Sequence, residues 1–237
     1  MIVFWRLLLV YYICAVLFYN RRFFAWRDKH PVSSYVLQIS TFFVLGIIFC
    51  SHFLYRNWLV AEFWPVPGYW AVFMAAVCYA LLNRLLVYHP GQKKGHTVVF
   101  LLHDTLTIAF LLACSPLDML YKTGNFMLEP WTVFAVAILV ITKMFSLFIY
   151  MVEQDWYGDA FPTLDESFVT MLMRLIFFLI ILLPGWRWVL WFLVWLWACL
   201  IAKKNRLMDL SPFAMYFSIF GSMAVGFLVR YGWYVDL

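Results

Sequence analysis

The chain has 237 residues, of which 66% are hydrophobic, 22% aromatic and only 12% charged. Soluble domains hold roughly half apolar and a quarter charged residues, so this composition excludes a water-soluble domain and makes the bilayer the solvent. The net charge of +5 is spread over short connections beside apolar runs, which argues against a nucleic-acid partner and makes the charge a topology signal.

Apolar runs recur from end to end, and most are long enough to cross a ~30 Å hydrocarbon core as a helix. They predict an all-α, polytopic integral membrane helix bundle of about eight transmembrane helices forming a single domain. The predicted spans are 3–19, 35–55, 68–88, 97–115, 131–152, 168–183, 186–202 and 213–234. The first could pass for the core of a signal peptide, but its positive charge follows the apolar run (Arg21, Arg22, Arg27, Lys29) and no small-residue cleavage site appears. It is therefore read as a span.

The third span ends on Asn83 and Arg84, the fourth carries His103 and Asp104, and the fifth carries Lys143. An acidic connection follows (Glu153, Asp155, Asp159, Asp165, Glu166), and its Trp156, Tyr157 and Phe161 suit the membrane interface. The sixth span holds Arg174 and stops at Pro184-Gly185. That break is either a tight hairpin or a kink in a re-entrant pair, because proline cannot continue a helical ladder. Span seven repeats Trp188, Trp191 and Trp195 along one face, a pattern of bulk packing. The last span places Ala214, Ser218, Ser222 and Gly226 every fourth residue, a small-residue ridge that lets another helix approach, within the chain or from another subunit. Trp58, Trp64, Trp70, Trp131, Trp186 and Trp233 mark the water boundaries.

Lys and Arg alternate between the two sides. One side collects Arg21, Arg22, Arg27, Lys29, Lys93, Lys94, Lys203, Lys204 and Arg206; the other holds Arg56, Lys122 and Arg187, with Arg6 and Arg230 near the ends. Cytoplasmic loops carry the basic excess, so this pattern predicts both termini outside the cytoplasm, in what reads as a bacterial inner membrane.

A charge at the centre of a span costs about 2.5–3.5 kcal/mol even on insertion scales, so intramembrane ionisable groups face partners or water. At 1.5 Å of rise per residue, Arg84 lies about 6 Å from the cytoplasmic end of its span, His103, Asp104 and Arg174 about 10 Å, and Lys143 about 13 Å. The expectation is one polar layer of Arg84, His103, Asp104, Lys143 and Arg174, with Asp104 paired to Lys143 or Arg174. As adjacent helical residues, His103 and Asp104 point about 100° apart and serve different partners.

Catalytic signatures are few. His52 and His103 lie toward opposite faces, which argues against bis-histidine haem, and His89 and His96 lack a third metal ligand. Asp104 has no second intramembrane acid for an aspartyl mechanism, and no nucleotide-binding loop is present. Cys14, Cys50, Cys78, Cys114 and Cys199 are scattered without pairing. No cofactor, metal or catalytic residue is expected. The reading is a non-enzymatic membrane protein, a small channel or transporter or the membrane subunit of a larger complex, partnered by lipids and by copies of itself or other membrane subunits. The alternatives are an intramembrane enzyme acting on a lipid-linked or phosphate-bearing substrate, and a sensor or effector that acts by oligomerising.

Overall fold

The structure, a computed structural model, describes residues 2–19, 21–51, 57–61, 64–85, 96–115, 129–157, 164–205 and 211–234. Helices dominate, and each of the eight predicted segments falls on one. They are α1 (Ile2–Phe18), α3 (Pro31–Cys50), α4 (Gly68–Leu85), α5 (His96–Ala113), α6 (Pro130–Leu139) continuing through a π-helical turn (Val140–Met144) into α7 (Phe145–Tyr157), α8 (Leu164–Ile181), α9 (Arg187–Lys204) and α10 (Pro212–Tyr234). Two elements were not anticipated: α2 (Arg21–Lys29) and a short antiparallel hairpin, β1 (Asn57–Ala61) with β2 (Trp64–Pro67). Three stretches are long and apolar enough to cross a membrane: Pro31–Cys50, Pro130–Trp156 and Pro212–Gly232. Shorter apolar helices cover Ile2–Phe18, Thr97–Ala113 and Phe168–Ile181.

The chain divides into two compact units, 1–92 with 98–136 and 93–97 with 137–237. In the first, α1 is apolar on every side, and such a helix is stable only when surrounded. Its Val3, Leu7, Val10, Tyr11, Cys14 and Ala15 are fully buried. α3 packs against α1 and α4, and α2 packs on α3. The close approach of α3 and α4 depends on Gly46: a Cβ there would stand 2.5 Å from Val72 Cγ1. Proline at the start of α3 needs no N–H partner, and the Ser34 hydroxyl donates to the Pro31 carbonyl (2.8 Å).

In the second unit α8 packs against α9, α10 and the π turn. Met173 and Phe177 meet Cys199, Met215 and Ile219 in its core. The break at Pro184-Gly185 is a tight turn between α8 and α9, with Gly185 at φ 66°, in the left-handed region that glycine occupies freely. Arg230 of α10 closes it, donating to the carbonyls of Ile181 (3.0 Å) and Gly185 (2.8 Å). These are among the acceptors that a helix end leaves unsatisfied. The N-terminus of α10 is capped by Ser211, whose hydroxyl accepts the Ala214 N–H (3.0 Å) and donates to Glu153. The small-residue ridge of α10 is covered within this unit: Ala214, Ser218 and Ser222 are buried, and Gly226 lies where an added Cβ would be 3.0 Å from Ile181.

The π turn adds a residue to one helical turn, seen in the Phe145 N–H donating to the Val140 carbonyl. The helix here runs past the predicted end of the fifth span, so Glu153 and Asp155 are helical, and Asp155 accepts the Thr97 N–H (2.9 Å). Trp70, Trp131 and Trp186 are exposed near helix starts, as boundary anchors would be. The side chains of Trp58, Trp64, Trp233, Arg21, Arg22, His96, Tyr157, Asp165 and Glu166, and all of His52, Arg56, His89, Lys93, Lys94, Lys122, Asp159, Phe161 and Arg206, lie outside the described residues.

A candidate polar path in the first unit

Polar side chains recur along buried α1 at Arg6, Tyr11 and Tyr19. Tyr19 lies just past the last helical residue and is tied to it by its N–H donating to the Ala15 carbonyl (2.8 Å). At 1.5 Å per residue these three positions span roughly 20 Å of the helix axis, most of a hydrocarbon core. Each is met by a polar group from another helix or connection of the same unit.

In the middle, α5 brings His103 and Asp104 to the two tyrosines. The Tyr11 hydroxyl donates to Asp104 Oδ1. The Tyr19 oxygen lies 3.1 Å from His103 Nδ1 and donates to Asn83 Oδ1 at 2.9 Å. Asn83 Nδ2 in turn donates to Gln38 Oε1 (3.3 Å) on α3. His103, Asn83, Gln38 and Tyr11 are all buried, while Asp104 is half-buried with His103 Nδ1 3.9 Å from its Oδ1. His103 and Asp104 thus meet two different tyrosines, Tyr19 and Tyr11. Thr107 donates back to the His103 carbonyl (2.8 Å), which spends its hydroxyl within α5.

A cavity adjoins the Gln38–Asn83 end of this series, and a separate one adjoins Arg6. Toward the start of α1, Arg6 grips Glu129 with both arms of its guanidinium: Nε donates to Oε2 at 2.9 Å and Nη2 to Oε1. Its Nη1 donates to the Phe49 carbonyl (2.7 Å). Glu129 immediately precedes Pro130 at the start of α6, and Thr132 donates to its Oε2 (2.9 Å), so the carboxylate is held from α6 as well. The Arg6 hydrogen bonds hold the Glu129 carboxyl below its usual pKa, against the opposing effect of burial. A cleft of about 570 Å³ adjoins this pair, lined also by Ile48, Phe49 and Trp131. At the other end, Gln38 and Asn83 line a pocket of about 250 Å³ with Arg27, Asp28, Tyr35 and Arg84 on its sides.

Of the five residues predicted to form one layer, Arg84, His103 and Asp104 belong to the first unit, Lys143 and Arg174 to the second. Arg84 is exposed, its guanidinium 5.9 Å from the centre of the Tyr35 ring. Asp104 bonds to tyrosine. Lys143 lies half-buried in the π turn. Arg174 is buried; its Nε donates to the Thr170 carbonyl (3.1 Å) and its Nη2 to Ser146 Oγ (2.5 Å), while Nη1 has no partner among the described residues.

Sequence reasoning overlooked Tyr11, Tyr19, Gln38 and the Arg6–Glu129 pair. A signal for the tyrosines was available, because a phenol inside an apolar run needs a partner for its hydroxyl. Among the described residues no group of three His, Cys, Asp or Glu side chains is placed to hold a metal ion. No family model matches the chain, and no curated protein or solved structure is similar to it.

Proposed function

We propose that this chain is a non-enzymatic membrane protein of about eight spans, set in a bacterial inner membrane with both ends outside, that conducts protons through its first unit. Its membrane setting is supported by wide apolar exposure. Val36, Val44 and Ile48 on α3, Leu101, Leu102 and Leu106 on α5, and Leu190, Leu193 and Trp197 on α9 all face outward. Water-soluble monomers do not carry apolar surface on that scale, whereas lipid covers it without cost.

The observation that carries the reading is the hydrogen-bonded series from Gln38 and Asn83 through Tyr19 to His103, with Asp104 and Tyr11 beyond it. His103 Nδ1 faces both the Tyr19 oxygen at 3.1 Å and Asp104 Oδ1 at 3.9 Å, so the imidazole takes up and gives back a proton at that nitrogen. Phenol hydroxyls both donate and accept, so they relay a proton without a lasting change of charge. Burial of these groups in an otherwise apolar unit confines the proton to the series. Two steps exceed a hydrogen bond, 3.9 Å between His103 and Asp104 and about 7.5 Å along α1 from Tyr11 to Arg6. Conduction therefore requires water to enter both gaps. At the Arg6 end, the cleft of about 570 Å³ is where solvent meets the series.

Reconstitution into liposomes tests this directly. With a potassium diffusion potential set by valinomycin and a pH-sensitive dye inside, vesicles holding the protein should acidify faster than empty ones. Asp104→Asn and His103→Ala should each slow the flux by about a hundredfold or more, the lower end of what a lost proton-transfer group costs. Arg187→Gln, on the exposed start of α9, should leave it unchanged. A flux that persists in both Asp104→Asn and His103→Ala, or is absent from the wild type, sinks the proposal.

A further inference from the structure

The pocket between α2, α3 and α4 is a different kind of site from the buried series it adjoins. Its side walls carry two guanidinium groups, Arg27 and Arg84, and one carboxylate, Asp28. Asp28 is largely exposed and lies 3.3 Å from Arg27 Nη2. Arg84 has no carboxylate partner among the described residues and is steadied by the Tyr35 ring beneath it. Gln38 and Asn83 are buried yet line the cavity. Because Gln38 Oε1 accepts from Asn83, the donors of the Gln38 amide nitrogen are the groups left over. The pocket therefore offers a net positive charge and unspent donors.

From this arrangement we infer that the pocket binds a phosphate group. A guanidinium presents its N–H donors as a planar fork that matches two oxygens of a phosphate, and the Tyr35 face fixes the plane of the Arg84 fork. The cavity, about 250 Å³, admits a group of this size with its first substituent. The chemistry is shared by inorganic phosphate and by the headgroup of an anionic lipid. Val32, Val36 and Leu37 on α3 and Leu81 on α4 are exposed near the pocket and give an acyl chain a surface to follow. Occupancy does not depend on proton conduction, and binding and flux are measured separately.

The test uses the full chain purified in a neutral detergent, with dioctanoyl phosphatidic acid, dioctanoylglycerol and inorganic phosphate as probes, read by native mass spectrometry and thermal shift. Phosphatidic acid should bind saturably as one copy, and dioctanoylglycerol, which lacks the phosphate, should not. Arg84→Gln should weaken phosphatidic acid binding by about tenfold or more, the worth of a charge-assisted hydrogen bond. Arg84→Lys, which keeps the charge and loses the fork, should fall between. Arg84 is exposed, so both variants should match the unliganded wild type in melting temperature. Competition by inorganic phosphate assigns the site to the free ion as well as the headgroup; binding of the lipid without competition assigns it to the headgroup alone. Equal binding of dioctanoylglycerol, or unchanged binding in Arg84→Gln, overturns the inference.

Discussion

Gly46→Ala isolates the contact that brings α3 against α4. The new methyl carbon would stand 2.5 Å from Val72 Cγ1 and 3.9 Å from Leu7 Cδ2. Ordinary carbon–carbon contact lies near 3.5–4.0 Å, so Val72 must retreat by about 1 Å. Val72 is fully buried in the second turn of α4, where a β-branched side chain has one strongly preferred rotamer, so the backbone must move instead. Overpacking of this kind costs about 1–3 kcal/mol, against about 0.8–1 kcal/mol gained when alanine replaces glycine in a helix. The expected net change runs from about zero to a loss of about 2 kcal/mol, a fall in melting temperature of up to about 8 °C for a chain of this length. Thermal unfolding in detergent, followed by tryptophan fluorescence, measures it. Val72→Ala removes the obstructing methyl, so Gly46→Ala should be neutral or stabilising in that background. A Gly46→Ala protein that melts above the wild type, or that loses as much stability with Val72→Ala as without it, refutes the argument.

The Arg6–Glu129 pair gives a pH dependence of known sign. Because the folded protein holds the Glu129 carboxyl below its usual value, the pair contributes stability above about pH 4.3, and that contribution disappears as pH falls through the lowered folded value. Both side chains are about a quarter exposed, so Glu129→Gln should cost only about 1–2 kcal/mol at pH 7. Melting curves of wild type and variant should converge in acid; a gap of constant size from pH 7 to pH 3 would exclude the pair as its source. In the second unit, Arg174→Met removes a buried cation together with an Nη1 that no described residue satisfies. The loss of its bonds to Thr170 and Ser146 nearly cancels the relief of desolvation, so stability should change by no more than about 1.5 kcal/mol. A loss of about 3 kcal/mol or more, read by detergent unfolding, would show that Arg174 neutralises a buried anion.

The helices were legible because bilayer-length apolar runs have few other uses, and His103 and Asp104 stood out because such residues are costly inside them. Their partners were not legible. Tyr11 and Tyr19 fall inside the first predicted span without standing out, since a phenol contributes to an apolar run whether or not its hydroxyl is engaged. Arg6 read as a terminal topology charge and Glu129 as part of a connection, and no local pattern joins residues 123 positions apart. The amphipathic α2 escaped because RRFFAWRDK is too short and too charged to register as a span. The π turn was invisible for another reason: one extra residue in a long apolar helix leaves its composition unchanged.

The polar groups of α1 also set an order on assembly. Tyr19 waits for Asn83 and His103, Tyr11 for Asp104, and Arg6 for Glu129. At 5–20 residues per second, the 123 residues separating Arg6 from Glu129 take roughly 6–25 s to synthesise. During that interval the helix that becomes the most enclosed in its unit carries an unmatched guanidinium and unmatched phenols. It must be sheltered by the insertion machinery or held at the interface until α5 and Glu129 emerge. The groups that tie this helix to Asn83, His103, Asp104 and Glu129 are thus also the ones that decide when the unit can close.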